Sequence, residues 1–189
     1  MAKNKVIIKE ISRNLYILRV NDYGIKYFES LWEIPEGITY NAYLLNLKEG
    51  AILIDLWKKE FSEEFVNAIE SIVEIGKIKY IIVNHAEPDH TGSLPEILKR
   101  NSKVTILGHP LAKMLLENLH NIRINKFKPV KDGETLKLNG EILKFLHTPW
   151  LHWPETIMTF LEGRKILLSC DAFGGYSIPN AVFDHELKE

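Results

Sequence analysis

Hydrophobic and polar positions along the chain follow two periods. Val6-Ile7-Ile8 and Leu15-Tyr16-Ile17-Leu18 are short apolar runs, so the chain opens on two strands. Tyr27 to Gly37 breaks the pattern with aromatic residues, Pro35 and Gly37, and reads as a packed loop on a rim. Tyr40 to Leu45 and Ala51 to Asp55 predict a hairpin turning at Glu49-Gly50, with Asp55 orienting backbone at the strand end. The period then changes. Phe65, Ile69, Ile72 and Val73 predict an amphipathic helix over 61–75, started by Ser62, Glu63 and Glu64 and stopped by Gly76. Tyr80-Ile81-Ile82-Val83 is a buried strand, and a helix follows from near Ser93 to Leu98 with Pro95 in its first turn. Val104 to Leu107 and Pro110 to Leu119 repeat the strand–helix pair, which gives a βαβ signature from Ala51 to Leu119.

After Ile122 the pattern turns to hairpins, with turn signals at Asp132-Gly133 and Asn139-Gly140. Glu141 to Leu146 is a strand, and Ile157 to Leu161 and Lys165 to Leu168 flank a turn at Glu162-Gly163-Arg164. At 189 residues, 46% of them hydrophobic, the chain has the material for one well-cored domain. Its 24 basic and 25 acidic residues nearly cancel, which gives no electrostatic case for nucleic acid or an anionic membrane surface. No apolar run approaches the ~18 residues that span a bilayer. Met1-Ala2-Lys3-Asn4-Lys5 leads into a strand and not into a secretory segment. A single cysteine, Cys170, excludes an internal disulfide and fits a reducing cytoplasm.

The chemistry concentrates in three segments. Asn84 to Pro95 carries His85, Glu87, Asp89 and His90, four metal-capable side chains within six residues directly after a strand. Imidazole and carboxylate without thiols suit zinc, iron or manganese and argue against a structural zinc knot. The bland alternative is a polar loop capping a helix. Leu146 to Pro154 supplies His152, with His147 as its rival, and Ser169 to Gly175 supplies Asp171. Each segment follows a strand, where α/β folds place their sites. A carboxylate at Asp171 can bridge two metals. His109 and His120 read as helix-end residues, the latter suited to a helix dipole. Cys170 reads as a small core residue, Asn84 as a brace, and Trp150 and Trp153 as packing that excludes water. As neighbours, Asp89 and His90 must diverge unless the loop twists sharply, so His90 either faces the metals with Asp89 or lies near them without facing them.

Taken together, His85-x-Glu87-x-Asp89-His90, His152 within Leu-His-Trp-Pro-Glu, Asp171 within Asp-Ala-Phe-Gly, and Thr39 to Leu44 resemble the flavodiiron proteins over essentially the whole chain. That resemblance implies an α/β fold of the metallo-β-lactamase αββα type, with residues 1–189 forming its diiron domain. It implies one iron held by His85, Glu87 and His152, a second by Asp89 with His90 bound or close by, and Asp171 between them. Glu87 favours iron, because zinc hydrolases of the superfamily usually carry histidine there. The implied activity is reduction of dioxygen to water or of nitric oxide to nitrous oxide. Electrons would come from FMN or from a separate donor of flavodoxin or rubredoxin type. The family's last histidine ligand and its FMN-bearing flavodoxin domain lie beyond the length of this chain. The second sheet is therefore expected to be incomplete, His185 becomes a candidate substitute ligand, and slow turnover by these residues alone is expected. Association with another copy or a complementary polypeptide is expected too. The other readings are an inactive or split remnant of such an enzyme, a zinc-dependent hydrolase using a metal-bound hydroxide, and a non-catalytic fragment or binding module.

Overall fold

The computed structural model describes residues 5–28 and 31–187. The Met1 to Asn4 part of the N-terminal reading and two positions of the 27–37 loop lie outside them. Strands β1 (Lys5–Ser12) and β2 (Leu15–Asp22) open the chain. Two two-residue strands follow, β3 (Tyr27–Phe28) and β4 (Trp32–Glu33), which pair with each other and give the rim loop its shape. Strand β5 (Ile38–Leu47) turns into β6 (Gly50–Ile54) through Lys48-Glu49, one residue earlier than the sequence suggested. Gly50 sits inside the ladder at φ 132°, and a Cβ there would meet the Lys79 side chain at 2.7 Å.

Helix α1 (Ser62–Glu70) ends five residues earlier than its apolar period predicts. Ser71 closes it, with its Oγ donating to the carbonyl of Ala68 at 2.7 Å. Ile72 and Val73 still pack on the same core, now from a turn, and Gly76 lies in a 3₁₀ turn over Ile75–Lys77. Then come β7 (Ile78–Val83), the four-residue helix α2 (Pro88–Thr91), α3 (Leu94–Arg100), β8 (Thr105–Gly108), α4 (Ala112–His120) and β9 (Phe127–Pro129). The remaining strands are β10 (Thr135–Leu138), β11 (Glu141–His147), β12 (Ile157–Leu161) and β13 (Ile166–Leu168).

Seven strands form one sheet in the order β1-β2-β5-β6-β7-β8-β9, antiparallel as far as β6 and parallel from β6 onward. A second, four-stranded antiparallel sheet runs β10-β11-β12-β13. Asn139-Gly140 is a true two-residue hairpin turn with both φ positive, joining Leu138 to Glu141. Asp132-Gly133 is not a hairpin. It carries the chain from β9 in one sheet to β10 in the other, and Gly133 N donates across to Phe145 O at 2.8 Å.

Two apolar cores explain the layering. Phe65, Ile69, Leu94, Ile97 and Leu116 from the helices pack on Leu18, Leu44, Leu53, Ile81 and Ile106 of the large sheet. On its other face, Leu45, Ile52, Ile54, Ile82 and Leu107 pack on Leu143, Phe145, Ile157, Leu161 and Leu168 of the small sheet. The described residues thus build a helix–sheet–sheet stack with unequal sheets. Strand β5 alternates cleanly. Tyr40, Ala42 and Leu44 enter the helix-side core, and Thr39, Asn41 and Tyr43 face the other side. No helix among the described residues is long and apolar enough to cross a membrane.

Candidate metal centre

The loops after β6, β7, β11 and β13 meet at one end of the two sheets, and a buried polar brace sets their geometry. Asn84, just past β7, donates its backbone N–H and its side-chain amide to the two oxygens of Asp55, at 2.8 and 3.0 Å. Its Oδ1 accepts from Thr159 of β12 at 2.7 Å, and its carbonyl accepts from Ile157 N at 2.8 Å. One asparagine therefore locks the large sheet to the small one next to His85. Asp55 acts as the strand-end brace that its position suggested. Burial pushes its carboxyl up to about 6, against the opposing influence of His90 and Asn84.

His85 is buried, and both ring nitrogens are engaged. Nδ1 lies 2.9 Å from Glu155 Oε1, and Nε2 lies 2.9 Å from Glu87 Oε2 and 3.9 Å from Asp171 Oδ2. His152 Nε2 reaches the same two carboxylates, at 3.1 Å from Glu87 Oε2 and 3.6 Å from Asp171 Oδ2. His85, Glu87, His152 and Asp171 each offer one donor atom within 4.8 Å of all the others. Beside them is a second group. His90 Nε2 lies 2.8 Å from Asp171 Oδ1 and 3.3 Å from Asp89 Oδ2, and its Nδ1 lies 3.6 Å from Cys170 Sγ. Asp171 thus belongs to both groups and turns one oxygen toward each.

His90 faces this centre together with Asp89, through the sharp twist that would allow both to do so. The reason is local: 88–91 is helical, so adjacent side chains differ by about 100° in direction and not by the half-turn of a strand. Thr91 Oγ1 fixes that turn through the carbonyls of Glu87 at 2.8 Å and Ala86 at 3.0 Å. Gly92 lets it dock, since a Cβ there would lie 2.3 Å from Lys59 N.

The electrostatics are those of a cation site filled by protons. Burial alone would depress His85, but hydrogen bonds to Glu155 and Glu87 raise it to about 9. Burial likewise opposes His90, and its contacts with Cys170, Asp89 and Asp171 raise it well above the ordinary imidazole value. Glu87 and Asp171 resist burial and are lowered, Glu87 by His85 and His152, Asp171 by His90 and then His85 and His152. Asp89 goes the other way, raised by burial against the pull of His90. Its Oδ1 is buried with no hydrogen-bond partner among the described residues. A nitrogen-and-oxygen donor set with an orphaned carboxylate oxygen fits a pair of metal ions of borderline to hard character. A cavity of about 630 Å³ opens over Asp89, His90, His152 and Asp171 and is walled opposite by Asn41 and Tyr43.

A family model described as ODP family beta lactamase matches residues 38–188. The chain belongs to that family. It is 33% identical over 179 residues to the flavo-diiron protein FprA2 of Clostridium acetobutylicum, covering 94% of this chain and 44% of that protein. It is 34% identical over 181 residues to the anaerobic nitric oxide reductase flavorubredoxin of Salmonella arizonae, covering 95% of this chain and 38% of that protein. Among solved structures, a flavoprotein of Thermotoga maritima superposes with a TM-score of 0.91 at 45% identity, covering 97% of this chain and 46% of that one. Rubredoxin oxygen:oxidoreductase of Desulfovibrio gigas superposes at 0.90 with 28% identity, covering 96% and 45%. The chain thus spans less than half the length of these relatives.

The other histidines of this ODP-family chain have different partners. His147 Nε2 is hydrogen-bonded to Val130 O at 3.0 Å, and its ring packs on His109. His109 Nδ1 accepts from Leu111 N at 3.2 Å, at the start of α4. His120 ends α4, as its position suggested, and burial lowers its pKa. It meets Thr91 Oγ1 at 2.8 Å and so braces α2. His185 is exposed, with its ring on Phe183. Trp153 packs edge-on against His85, with ring centres 5.1 Å apart. Trp150 does not exclude water as expected: its loop turns at φ 70° and leaves the indole 74% exposed at the cavity rim. Cys170 is half-buried beside His90, not in the core, and burial pushes its thiol up to about 12. Sequence reasoning missed Glu155. The residue was visible within the His-Trp-Pro-Glu run, but nothing in the pattern tells which way it faces.

Proposed function

We propose that residues 1–189 form the metal-binding unit of a flavodiiron oxidoreductase that reduces dioxygen to water or nitric oxide to nitrous oxide. The observation that carries this reading is the placement of Asp171, with Oδ2 turned to His85 and His152 and Oδ1 to His90. His85, Glu87 and His152 would hold one iron, Asp89 and His90 the other, and Asp171 would serve both. The relatives' names, flavo-diiron protein, nitric oxide reductase flavorubredoxin and rubredoxin oxygen:oxidoreductase, support the same chemistry. When bound, an iron pair supplies two reducing equivalents and open positions for a diatomic gas.

The chain's own residues do the rest. Three carboxylates balance the metal charge in a buried setting. Tyr43, its hydroxyl kept protonated by burial and by Asp55 at a pKa of about 12, lines the cavity and can offer a hydrogen bond there. Dioxygen needs four electrons and four protons to become two waters. Two nitric oxide molecules need two of each to become nitrous oxide and one water. The iron pair would cover both electrons for nitric oxide and two of the four for dioxygen. The other two, and re-reduction of the pair, would come from a separate donor, FMN or a protein of flavodoxin or rubredoxin type, in the cytoplasm, where the lone Cys170 remains a thiol. The protons would come from solvent. The cavity rim, with Trp150, Leu151 and Phe173 exposed, suits association with another copy or a complementary polypeptide.

The test is metal analysis of protein produced in iron-rich medium. Anaerobic reconstitution with ferrous iron then follows, with gas consumption measured under a reduced donor. Two irons per chain and slow but real consumption of either gas is the expected result. Zinc alone with hydrolytic activity, or no tightly bound metal at all, would overturn the reading.

A further inference from the structure

Glu155 does not touch the cavity, yet it is 1% exposed and takes two hydrogen bonds on a single oxygen. Its Oε1 accepts from Ala86 N at 2.9 Å and faces His85 Nδ1 at 2.9 Å. Its Oε2 is buried and has no hydrogen-bond partner among the described residues. The backbone N–H of Ala86 can only donate, so it anchors the carboxylate beside the residue that follows His85. A carboxylate held there accepts a hydrogen bond from Nδ1–H and so keeps Nε2, on the Glu87 and Asp171 side, as the nitrogen that a metal would take. Trp153 packs edge-on against the same ring and resists its rotation. On the other side of Asp171, His90 rests its Nδ1 on the sulfur of Cys170 at 3.6 Å, a weaker acceptor than a carboxylate.

We propose that Glu155 is a positioning residue that fixes His85 as the Nδ1–H tautomer, and thereby makes the His85, Glu87 and His152 group the tighter of two unequal metal sites. The proposal rests on the metal-site reading above and deepens it. A carboxylate behind a metal-bound imidazole orients the ring and raises its basicity. Loss of such a partner costs about 10–100-fold in metal affinity. The pairing also assigns an order of loading, with the Glu155-backed site first and the thiol-backed site second.

The experiment titrates the full chain with Zn²⁺ as a diamagnetic probe, by chelator competition, alongside the variants Glu155→Gln, Glu155→Ala and His85→Ala. Far-UV circular dichroism and thermal melting check the fold. Glu155→Gln has the same shape and keeps an oxygen for Ala86 N–H, so it remains informative if Glu155→Ala does not fold. The wild type is expected to show two unequal affinities. Glu155→Gln should weaken the tighter one about tenfold and Glu155→Ala about 100-fold, while the weaker one moves less than about threefold. In ¹⁵N spectra of the Zn²⁺-loaded wild type, the His85 Nδ1–H should be visible and slow to exchange; it should be lost or fast in Glu155→Ala and kept in Glu155→Gln, whose amide oxygen can take both hydrogen bonds. If Glu155→Gln binds Zn²⁺ as the wild type does while His85→Ala binds weakly, only this proposal falls. If His85→Ala also binds as the wild type does, the metal-site reading falls with it.

Discussion

The two halves of the centre share Asp171 but are built on different supports. His85 stands at the end of a central strand, with Asn84, Asp55 and Thr159 behind its backbone and Glu155 behind its ring. Asp89 and His90 stand on one turn of helix, held by Thr91 and His120 and by the close approach of Gly92. His90 leans on a thiol, and Asp89 keeps one buried oxygen unpaired. The first half is braced by carboxylate and amide partners, whereas the second leans on a hydroxyl and a sulfur. The lesson is that donors of the same chemical kind differ in strength through the groups behind them.

The largest effect is expected where the halves join. Asp171→Asn keeps the shape but removes the charge that faces both groups, so stoichiometry should fall from two metals to at most one. The remaining affinity should drop by more than about 100-fold, beyond the usual loss from a supporting residue. Inductively coupled plasma analysis after gel filtration reads this directly, and two retained metals would dissolve the distinction between the halves. Next, His152→Ala should weaken the first metal by more than about 100-fold. His90→Ala should leave the first within about threefold and weaken the second. Calorimetric titration separates the two, and equal losses at both metals would show a single coupled site.

The pH dependence tests the same contrast. His85 is raised from 6.5 to about 9 and His90 is raised well above 6.5, so both rings hold their protons more tightly in the metal-free fold than in the unfolded chain. A raised folded-state value stabilises the fold fully below pH 6.5, and the contribution is lost as pH climbs through about 9. Metal must displace those protons, so affinity should rise by about tenfold per pH unit for each proton released. Melting with a chelator should therefore weaken between pH 6.5 and 9, while melting with saturating Zn²⁺ strengthens. Parallel trends in the two would mean that the histidines are not where the metal binds.

The smallest effect concerns the helical turn. Thr91→Val removes a hydroxyl that touches Ala86 O, Glu87 O and His120 Nε2. It should cost about 1–3 kcal/mol in urea unfolding and weaken the second metal more than the first. A loss confined to the first metal would reverse the assignment of support.

What the sequence by itself determined is largely what lies close along the chain. Four metal-capable residues within six positions, the βαβ alternation from Ala51 to Leu119 and the Asn139-Gly140 turn are local patterns, and local patterns reach the fold intact. The end of α1 did not, because Ile72 and Val73 satisfy the same core from a turn as from a helix, and the apolar period cannot distinguish the two. Asp132-Gly133 has hairpin chemistry but joins two sheets, since a turn signal does not name the strand that the chain pairs with next. The sequence proposed His152 over His147, but only packing gave His147 to Val130 O and His152 to Glu87. Only the tertiary structure decided that Glu155 lies behind His85, 70 residues away, and that Asp171 turns one oxygen to each group. The reason is physical: the direction of a side chain on an irregular loop is fixed by contacts with elements distant in sequence, and no periodicity encodes those contacts.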